Sequence, residues 1–127
     1  MKRGQEDYLR TILELDTKEG VSSISIAKEL GISKASVSEM LKKLANNNLI
    51  KFEPYSNIFL TAKGKKIAQI LSEKHKILEQ FASKLKHTSP HEEAHSLEHG
   101  LSDEMFHRLS EFINGKTQLK APPSYIS

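Results

Sequence analysis

The sequence predicts a mainly α fold that begins with a winged helix-turn-helix and continues as an all-helical domain. Three helical patterns and a small β-hairpin pattern fill roughly the first 60 residues, and this order is typical of a winged helix. Only helical patterns follow the hairpin. We therefore expect a winged-helix domain over residues 1–63, a helical domain over residues 64–115 and an irregular tail over residues 116–127.

The composition is that of an ordinary soluble protein. Hydrophobic residues make up 37% and charged residues 28% of the sequence, and cysteine is absent, which excludes disulfides and thiolate metal sites. No apolar run approaches the roughly 20 residues of a membrane-spanning helix, and no apolar stretch follows the charged N-terminus as it would in a signal peptide. We therefore expect a cytoplasmic protein without a membrane partner.

Charge is distributed unevenly along the chain. Residues 1–66 carry 12 Lys/Arg and 8 Asp/Glu, a balance of +4, whereas residues 67–127 carry 7 and 8, a balance of −1. A basic first part beside a nearly neutral second part favours a nucleic-acid-binding domain joined to a domain with another task.

The first three helices are predicted from apolar spacing and from residues that cap helix ends. We expect them over Gly4–Asp16, Ser25–Leu30 and Lys34–Asn46. Gly31 ends the second helix because glycine tolerates a left-handed backbone, and Ser33 caps the third. The apolar positions expected in the core are Tyr8, Leu9, Ile12, Leu13, Leu15, Val37, Met40, Leu41 and Leu44.

A tight turn and a hairpin complete the winged-helix pattern. The small side chain of Ala27 lets the second and third helices cross closely, and Ile32 and Val37 are expected to fill the space between them. Two β-rich runs, Leu49–Glu53 and Ile58–Leu60, flank a short turn and predict the hairpin.

Three further helices are predicted after the hairpin. Thr61 caps a long helix over Ala62–Lys86. Ser89 and Glu92 form a capping-box pattern at the start of a short helix that ends near His99. The last helix follows its cap Ser102 and reaches Asn114. The core positions expected on the long helix are Ile67, Ile70, Leu71, Ile77, Leu78, Phe81 and Leu85, and the apolar positions of the last helix are Met105, Phe106, Leu109, Phe112 and Ile113.

The third helix carries most of the side chains expected to contact DNA. Small hydroxyl and methyl groups on its exposed side can approach base edges, and its lysines can neutralise phosphates. The predicted DNA-binding residues are Ser33, Lys34, Ala35, Ser36, Ser38, Glu39, Lys42, Lys43, Tyr55 and Asn57, with Ser22, Ser23 and Ser56 as further contacts to the DNA backbone. Because this helix lacks arginine, no bidentate guanine contact is expected from it. We therefore expect recognition of DNA shape to matter more than usual. The alternative is a winged helix that binds protein and whose lysines are merely solvated.

Histidines are concentrated in one part of the chain. Five of the six fall between residues 75 and 99, and His91, His95 and His99 recur at every fourth position, on one side of a predicted helix. An imidazole and a carboxylate lie one helical turn apart in two pairs, His75 with Glu79 and His95 with Glu98. Such pairs suit Mn, Fe, Co, Ni or Zn, which predicts a metal site. The alternative is a solvated histidine face, and no role is expected for His87 or His107.

Four stretches of the sequence carry a family resemblance. They are EDYLRTILEL at residues 6–15, LTAKG at 60–64, KHKILE at 74–79 and LEHGLSDE at 97–104. In this order, from about residue 5 to residue 114, the chain resembles the diphtheria toxin repressor family of iron- and manganese-dependent repressors. The resemblance implies a homodimer that binds a double-stranded DNA operator, with a helical dimerisation and metal-binding domain after the winged helix.

The same resemblance implies two metal positions in each subunit. Carried over by position, the primary site is formed by Asp7, His95, Glu98 and His99, and the ancillary site by His75, Glu79 and His91. Asp7 belongs to the first helix, whereas the other primary ligands come much later in the sequence. An ion held by both parts would fix the orientation of the DNA-reading helices and so convert metal binding into DNA affinity.

The implied cofactor is Fe(II) or Mn(II), with Zn(II), Co(II) or Ni(II) as alternatives. Asp7 matches the manganese-type members, but His95 matches neither the sulfur ligand of the iron type nor the glutamate of the manganese type. Arg10 stands where the manganese type has a further carboxylate. The resemblance does not extend to the SH3-like third domain of the longer members, so we expect no metal ligand from such a domain, and no small organic ligand is expected.

Two other functions are compatible with parts of the sequence. Residues 95–99 match H-x-x-E-H, the inverted zinc-peptidase motif in which glutamate is the general base. Such an enzyme needs a further ligand and a substrate cleft from later residues, and only 28 residues follow His99, so we expect no enzyme. The other alternative is a winged-helix transcription regulator that senses no metal.

Overall fold

The computed structural model describes residues 3–53 and 55–115, which belong to two compact units. The first unit is Met1–Ile70 and the second is Leu71–Ser127, so the boundary falls inside one long helix. The predicted tail over residues 116–127 and the turn residue Pro54 lie outside the described residues.

The described residues form a mainly α structure with one short hairpin. The first unit contains α1 (Arg3–Leu15), α2 (Ser23–Leu30), α3 (Lys34–Asn46), β1 (Ile50–Lys51), β2 (Phe59–Leu60) and the start of α4 (Ala62–Lys84); α5 (Pro90–Leu97), a 3₁₀ turn (Glu98–Gly100) and α6 (Asp103–Ile113) follow in the second. This order confirms the predicted fold class, a winged helix-turn-helix followed by a helical domain. Within the described part of the chain, no helix has both the length and the low polarity that a bilayer span requires.

The core of the first unit is formed by apolar side chains of the three leading helices and the hairpin. Its largest fully buried side chains are Leu9, Ile12, Ile26, Val37, Leu41, Leu44, Leu49 and Ile58. The apolar positions predicted on α1 and α3 are therefore confirmed, with Leu13, Leu15 and Met40 only partly buried at the edge of the core. Tyr8 is buried as well, and this burial raises the pKa of its phenol.

The turn between α2 and α3 has the geometry that its glycine predicts. Gly31 has a φ of +65°, and the N–H of Ile32 donates to the carbonyl of Ala27 at 3.1 Å, which closes the end of α2. Val37 is fully buried, as expected. Ile32 remains 37% exposed, so the prediction that it fills the space between the helices is wrong.

Side-chain caps begin most of the helices. The side-chain oxygens of Ser22, Ser33, Thr61 and Ser102 each accept a hydrogen bond from the backbone N–H three residues later, at 3.1 Å. Because Ser22 is a cap, α2 begins at Ser23, two residues before the predicted start. The predicted capping box of Ser89 and Glu92 is wrong, because the Ser89 side chain makes no capping bond and its N–H instead donates to Nδ1 of His87 at 2.9 Å.

The hairpin is shorter than predicted and has an additional partner. β1 pairs antiparallel with β2, with Ile50 opposite Leu60. Beyond this short ladder, Val21 N donates to Ile58 O at 2.9 Å and Ile58 N donates to Val21 O at 2.7 Å. The loop before α2 therefore adds a third short strand-like segment, which no sequence pattern had indicated.

A close backbone approach fixes the start of α4. A Cβ atom at Gly64 would collide with the carbonyl oxygen of Leu49, so only glycine fits here without a shift. The same carbonyl accepts a hydrogen bond from Thr61 N at 3.1 Å, and the Thr61 hydroxyl donates to Asn48 O at 2.8 Å. The Thr61-to-Gly64 turn thus anchors α4 to the end of the winged helix.

The second unit begins within α4, which ends two residues earlier than predicted. Lys86 adopts a φ of +60°, and His87 N donates to Ala82 O at 3.0 Å, a closure that stops the helix at Lys84. Leu85 is 66% exposed, so its predicted place in the core is wrong. Among the described residues of this unit, the buried apolar side chains are those of Leu71, Leu78, Ala82 and Ala94.

A lysine of α4 holds the segment that follows α5. The α-helix ends at Leu97, so the predicted helix up to His99 ends in a 3₁₀ turn. The Lys74 ammonium donates to the carbonyl of Leu101 at 2.7 Å and lies 3.3 Å from the Asp103 carboxylate. This contact ties the residues around the 3₁₀ turn to the middle of α4.

Candidate metal centre and nucleic-acid interface

The three residues predicted as the ancillary site converge in the second unit. Nε2 of His75 lies 3.2 Å from Oε2 of Glu79 and 3.1 Å from Nδ1 of His91, and the last two atoms are 3.5 Å apart. His75 and Glu79 share one face of α4 because they are four residues apart, and α5 contributes His91 from its first turn. Sequence spacing predicted the first pair, and the fold adds the third residue.

The geometry of this cluster fits one transition-metal ion. Two ligand atoms about 2.1 Å from an ion lie roughly 3.0 Å apart at an octahedral angle and about 3.4 Å apart at a tetrahedral angle. The three donor separations in the cluster, 3.1, 3.2 and 3.5 Å, are close to these values. The side chain of His75 is only 13% exposed whereas that of His91 is 74% exposed, so an ion can enter from solvent and retain water ligands.

Glu98, predicted in the primary site, is buried beside this cluster. Its side chain is 1% exposed, and its Oε1 lies 2.7 Å from Nδ1 of His75. Oε1 is also 3.6 Å from Nδ1 of His95, and Oε2 is 3.8 Å from Nε2 of His99. The end of α5 and the 3₁₀ turn therefore bring His95 and His99 close to the Glu98 carboxylate, with the two imidazole rings edge-on and their centroids 6.0 Å apart.

Asp7, the remaining residue of the predicted primary site, belongs to α1 of the first unit. Its Oδ1 lies 3.6 Å from Nη2 of Arg10, which in turn has Nε 3.9 Å from Glu14. Arg10, which stands where manganese-type family members have a carboxylate, thus forms an ion pair with Asp7 within α1. The place of Asp7 in a metal site stays a prediction.

Part of the predicted DNA-binding set lines an open cleft in the first unit. The cleft includes five of the ten predicted residues, Lys34, Ser38, Lys42, Tyr55 and Asn57, but not Ser33, Ala35, Ser36, Glu39 or Lys43. The cleft has a volume of about 580 Å³. Its lining joins α3, the start of α2 and the wing, and consists of Ser22, Ser23, Ile24, Lys34, Ser38, Leu41, Lys42, Phe52, Tyr55, Ser56 and Asn57. Lysines, serines and an exposed tyrosine in one concave surface provide both cations for phosphates and hydroxyl groups for base edges.

Not all of the predicted contacts are equally available. Ser33, Lys34, Ala35, Ser36, Glu39, Lys42 and Lys43 are exposed, and Ser38 is half-buried. The Ser33 hydroxyl caps α3 and donates to the Ser36 hydroxyl at 2.9 Å, so both serve the helix start as well. Asn57 Nδ2 donates to the Glu19 carbonyl at 2.7 Å, which gives Asn57 a structural role in the wing.

Comparison with known proteins identifies the family. Residues 1–58 match the iron dependent repressor N-terminal DNA binding domain, and residues 61–118 match the iron dependent repressor metal binding and dimerisation domain. The chain belongs to the iron dependent repressor family. The resemblance to diphtheria toxin repressor proteins seen in the sequence is thereby confirmed.

Individual relatives agree with this assignment. The transcriptional regulator MntR of Escherichia coli is 38% identical over 103 residues, which cover 78% of this chain and 66% of MntR. An uncharacterized HTH-type transcriptional regulator of Methanocaldococcus jannaschii is 38% identical over 119 residues, covering 89% of this chain and 94% of that protein. The structure of the manganese regulator SloR aligns with a TM-score of 0.76 and 39% identity, over 90% of this chain and 55% of SloR. The chain thus spans just under two thirds of MntR and about half of SloR.

The peptidase alternative is not supported. The relatives of this chain in the repressor family are DNA-binding transcriptional regulators rather than enzymes. The H-x-x-E-H residues do not share one α-helix, because α5 ends at Leu97 and Glu98 and His99 belong to the 3₁₀ turn. Glu98, the general base of that motif, is buried and bonded to His75, so it is unavailable to activate water.

The contact between His75 and Glu98 was missed by the sequence analysis. The two residues are 23 positions apart and were assigned to different metal sites. Helical spacing relates residues three or four apart, so it carries no signal for a contact between α4 and the 3₁₀ turn.

Proposed function

We propose that this chain is a metal-dependent transcriptional repressor of metal-ion homeostasis, activated by Fe(II) or Mn(II), that binds operator DNA as a homodimer. In this proposal residues 1–63 bind DNA, and residues 64–115 bind metal and dimerise. The observation that carries it is the convergence of His75, Glu79 and His91 within 3.5 Å of one another, in a chain that begins with a winged helix. The two matched family domains support the same pairing of tasks.

The proposed cofactor is a divalent transition metal. Two imidazole nitrogens and one carboxylate oxygen form a borderline ligand set, which accepts Mn(II) and Fe(II) and also Co(II), Ni(II) and Zn(II). The description of SloR as a manganese regulator favours manganese among these, and the match to the iron dependent repressor family favours iron. Relative occupancy in the cell then depends on metal availability more than on intrinsic affinity.

For the primary site we propose Asp7, His95, Glu98 and His99. This assignment rests on the family resemblance and on the second-unit geometry, in which His95 Nδ1 and His99 Nε2 lie 3.6 and 3.8 Å from the Glu98 carboxylate. An ion bound there would link the proposed carboxylate ligands to the proposed imidazole ligands. Asp7 would then fasten α1, and with it the DNA-reading α3, to the ligands of the second unit.

Dimerisation is proposed through the second unit. Met105 and Phe112 lie seven residues apart on one side of α6 and are 54% and 62% exposed in the single chain. Large apolar side chains at helical spacing are typical of a helix that packs against a partner. A homodimer presents two reading helices to two operator half-sites, and a cytoplasmic location follows from access to DNA.

The proposal is tested by selecting duplexes from a random-sequence DNA library. The chain is incubated with the library in Fe(II), in Mn(II), in Zn(II) or in a chelator, and bound duplexes are sequenced. We expect one inverted-repeat motif to be enriched in at least Fe(II) or Mn(II) and to be absent in chelator. Enrichment of the same motif in chelator would instead support a winged-helix regulator that senses no metal.

The metal site is tested separately by equilibrium dialysis. Replacing His75 by alanine removes a ligand and should weaken retention of Mn(II) or Co(II) at that position by at least about tenfold. The matched control is His107→Ala, because His107 lies on α6, 2.8 Å from Glu111 of the same helix, and is outside the cluster. Equal losses in both variants would contradict the assigned ligands.

A further inference from the structure

We infer that Glu98 is also a positioning residue for the His75–Glu79–His91 cluster, and that it thereby couples this cluster to the primary metal position. The inference rests on the proposed function, in which Glu98 was assigned to the primary site alone. It is carried by the 2.7 Å contact between Glu98 Oε1 and Nδ1 of His75, on the opposite side of the ring from the cluster.

The two nitrogens of His75 face different partners. Nε2 points to Glu79 Oε2 at 3.2 Å and to His91 Nδ1 at 3.1 Å, whereas Nδ1 points to Glu98. Both nitrogens thus face a carboxylate, which can only accept a hydrogen bond. Because a metal ion at the cluster would take the lone pair of Nε2, the proton of the neutral imidazole is then on Nδ1, where the Glu98 carboxylate accepts it. The lone pair is then on Nε2, directed at the metal cluster, which is the tautomer that coordination requires.

Burial shields the hydrogen bond between His75 and Glu98 from water. The side chains of Glu98 and His75 are 1% and 13% exposed, so little water competes for the hydrogen bond. A short bond to an ionised acceptor in such surroundings is stronger than an exposed one, and it fixes the plane of the ring as well as its tautomer. His91, whose side chain is 74% exposed, has much less such support.

The same carboxylate faces the proposed primary ligands. Oε1 is 3.6 Å from Nδ1 of His95, and Oε2 is 3.8 Å from Nε2 of His99. A rotation of the carboxylate that suits one metal position therefore alters the hydrogen bond that supports the other. Because such coupling is reciprocal, filling either position changes the affinity of the other by the same factor.

The experiment isolates the cluster in a chain whose primary position is disabled by His95→Ala and His99→Ala. Affinity for Co(II) is measured by its absorption spectrum in this parent and after adding Glu98→Gln, which preserves side-chain shape but removes the charge. The matched control is Glu92→Gln, an exposed carboxylate on the same helix as His91. Folding of each variant is compared by thermal unfolding.

The inference expects Glu98→Gln to weaken Co(II) binding by about ten- to one-hundredfold and Glu92→Gln to leave it nearly unchanged. If the parent binds Co(II) and Glu98→Gln binds it equally well, the inference is wrong while the proposed metal site stands. If the parent binds no Co(II), the proposed site and the inference both fail.

A second measurement uses the unaltered chain, so it does not depend on variants that fold. With Zn(II) bound, the Nδ1–H proton of His75 should give a downfield NMR signal that exchanges slowly with water, because it is buried and bonded to Glu98. Absence of this signal in the unaltered chain would overturn the positioning role even if Glu98→Gln lowered the affinity for Co(II).

Discussion

At the scale of single residues, Asp7 and Arg10 form an ion pair that any metal at Asp7 must rearrange. Their charged atoms are 3.6 Å apart, and their side chains are 27% and 14% exposed. A partly exposed pair at this distance is typically worth no more than about 1 kcal/mol. Coordination of Asp7 would therefore displace a weak partner, while Arg10 retains Glu14 at 3.9 Å.

Replacing Asp7 by alanine should abolish metal-stimulated DNA binding while the fold is retained. The lost carboxylate is the only primary ligand proposed from the first unit, so metal would no longer link that unit to the ligands of the second. The measurement is a gel shift with a selected duplex in Mn(II), with Asp16→Ala, an exposed carboxylate after α1, as the control. Full metal stimulation in Asp7→Ala would show that the carboxylate is not a ligand.

The sequence predicted ligands that are one helical turn apart, but it did not predict contacts between residues of different structural elements. The His75–Glu79 pair follows from α-helical geometry, so the sequence alone could indicate it. The burial of Glu98 and its contact with His75 depend on packing between α4 and the 3₁₀ turn. No local pattern encodes that packing.

At the scale of elements, helix ends were predicted well where a hydroxyl could cap them. Ser33, Thr61 and Ser102 each accept the expected bond at 3.1 Å. Ser89 had an equally good capping sequence, yet His87 takes up its backbone N–H in a competing local bond at 2.9 Å. A capping pattern in the sequence therefore indicates a possible helix start, and contacts of the preceding loop determine whether the capping bond forms.

Replacing Gly64 by alanine should destabilise the first unit by about 1–3 kcal/mol. The new Cβ would meet the Leu49 carbonyl oxygen, so the backbone at the start of α4 would have to move. Gly100→Ala is the matched control, because a Cβ there has no neighbour within 4 Å. Urea unfolding of both variants measures the difference, and equal stabilities would mean that α4 does not need this close approach.

Lys42 of α3 lines the cleft and should act as a phosphate contact. Replacing Lys42 by alanine should weaken binding to all duplexes and lower the salt dependence of log K by about one per subunit, because one fewer counterion is released. Lys18→Ala, an exposed lysine that is not among the cleft residues, is the control. The salt slope is measured by fluorescence anisotropy, and an unchanged slope for Lys42→Ala would place the DNA elsewhere.

At the scale of the whole molecule, α6 carries exposed apolar side chains in the part of the chain that the structure describes. Phe112 is 62% exposed and makes an edge-on contact with Phe81, with ring centroids 6.4 Å apart. The sequence marked these positions as apolar, but it could not say whether the same chain or a second copy covers them. That distinction depends on the tertiary arrangement, since periodicity reports only that a face is apolar.

Replacing Phe112 by glutamate should shift the chain from dimer to monomer, since a charge in an apolar interface is costly to bury. Asn114→Glu adds a charge at the exposed end of the same helix and should leave the dimer intact. Sedimentation equilibrium measures both. If Phe112→Glu dimerised with unchanged affinity, the dimer interface would not include this side of α6.

The most direct test of the central claim, that metal binding controls DNA binding, is a reversal titration followed by fluorescence anisotropy. The unaltered chain and one duplex selected from the random library are titrated with Mn(II) or Fe(II), and excess chelator is then added. Anisotropy should rise as metal is added and return to its starting value with chelator. The same dissociation constant before metal, with metal and after chelation would contradict metal control of this protein.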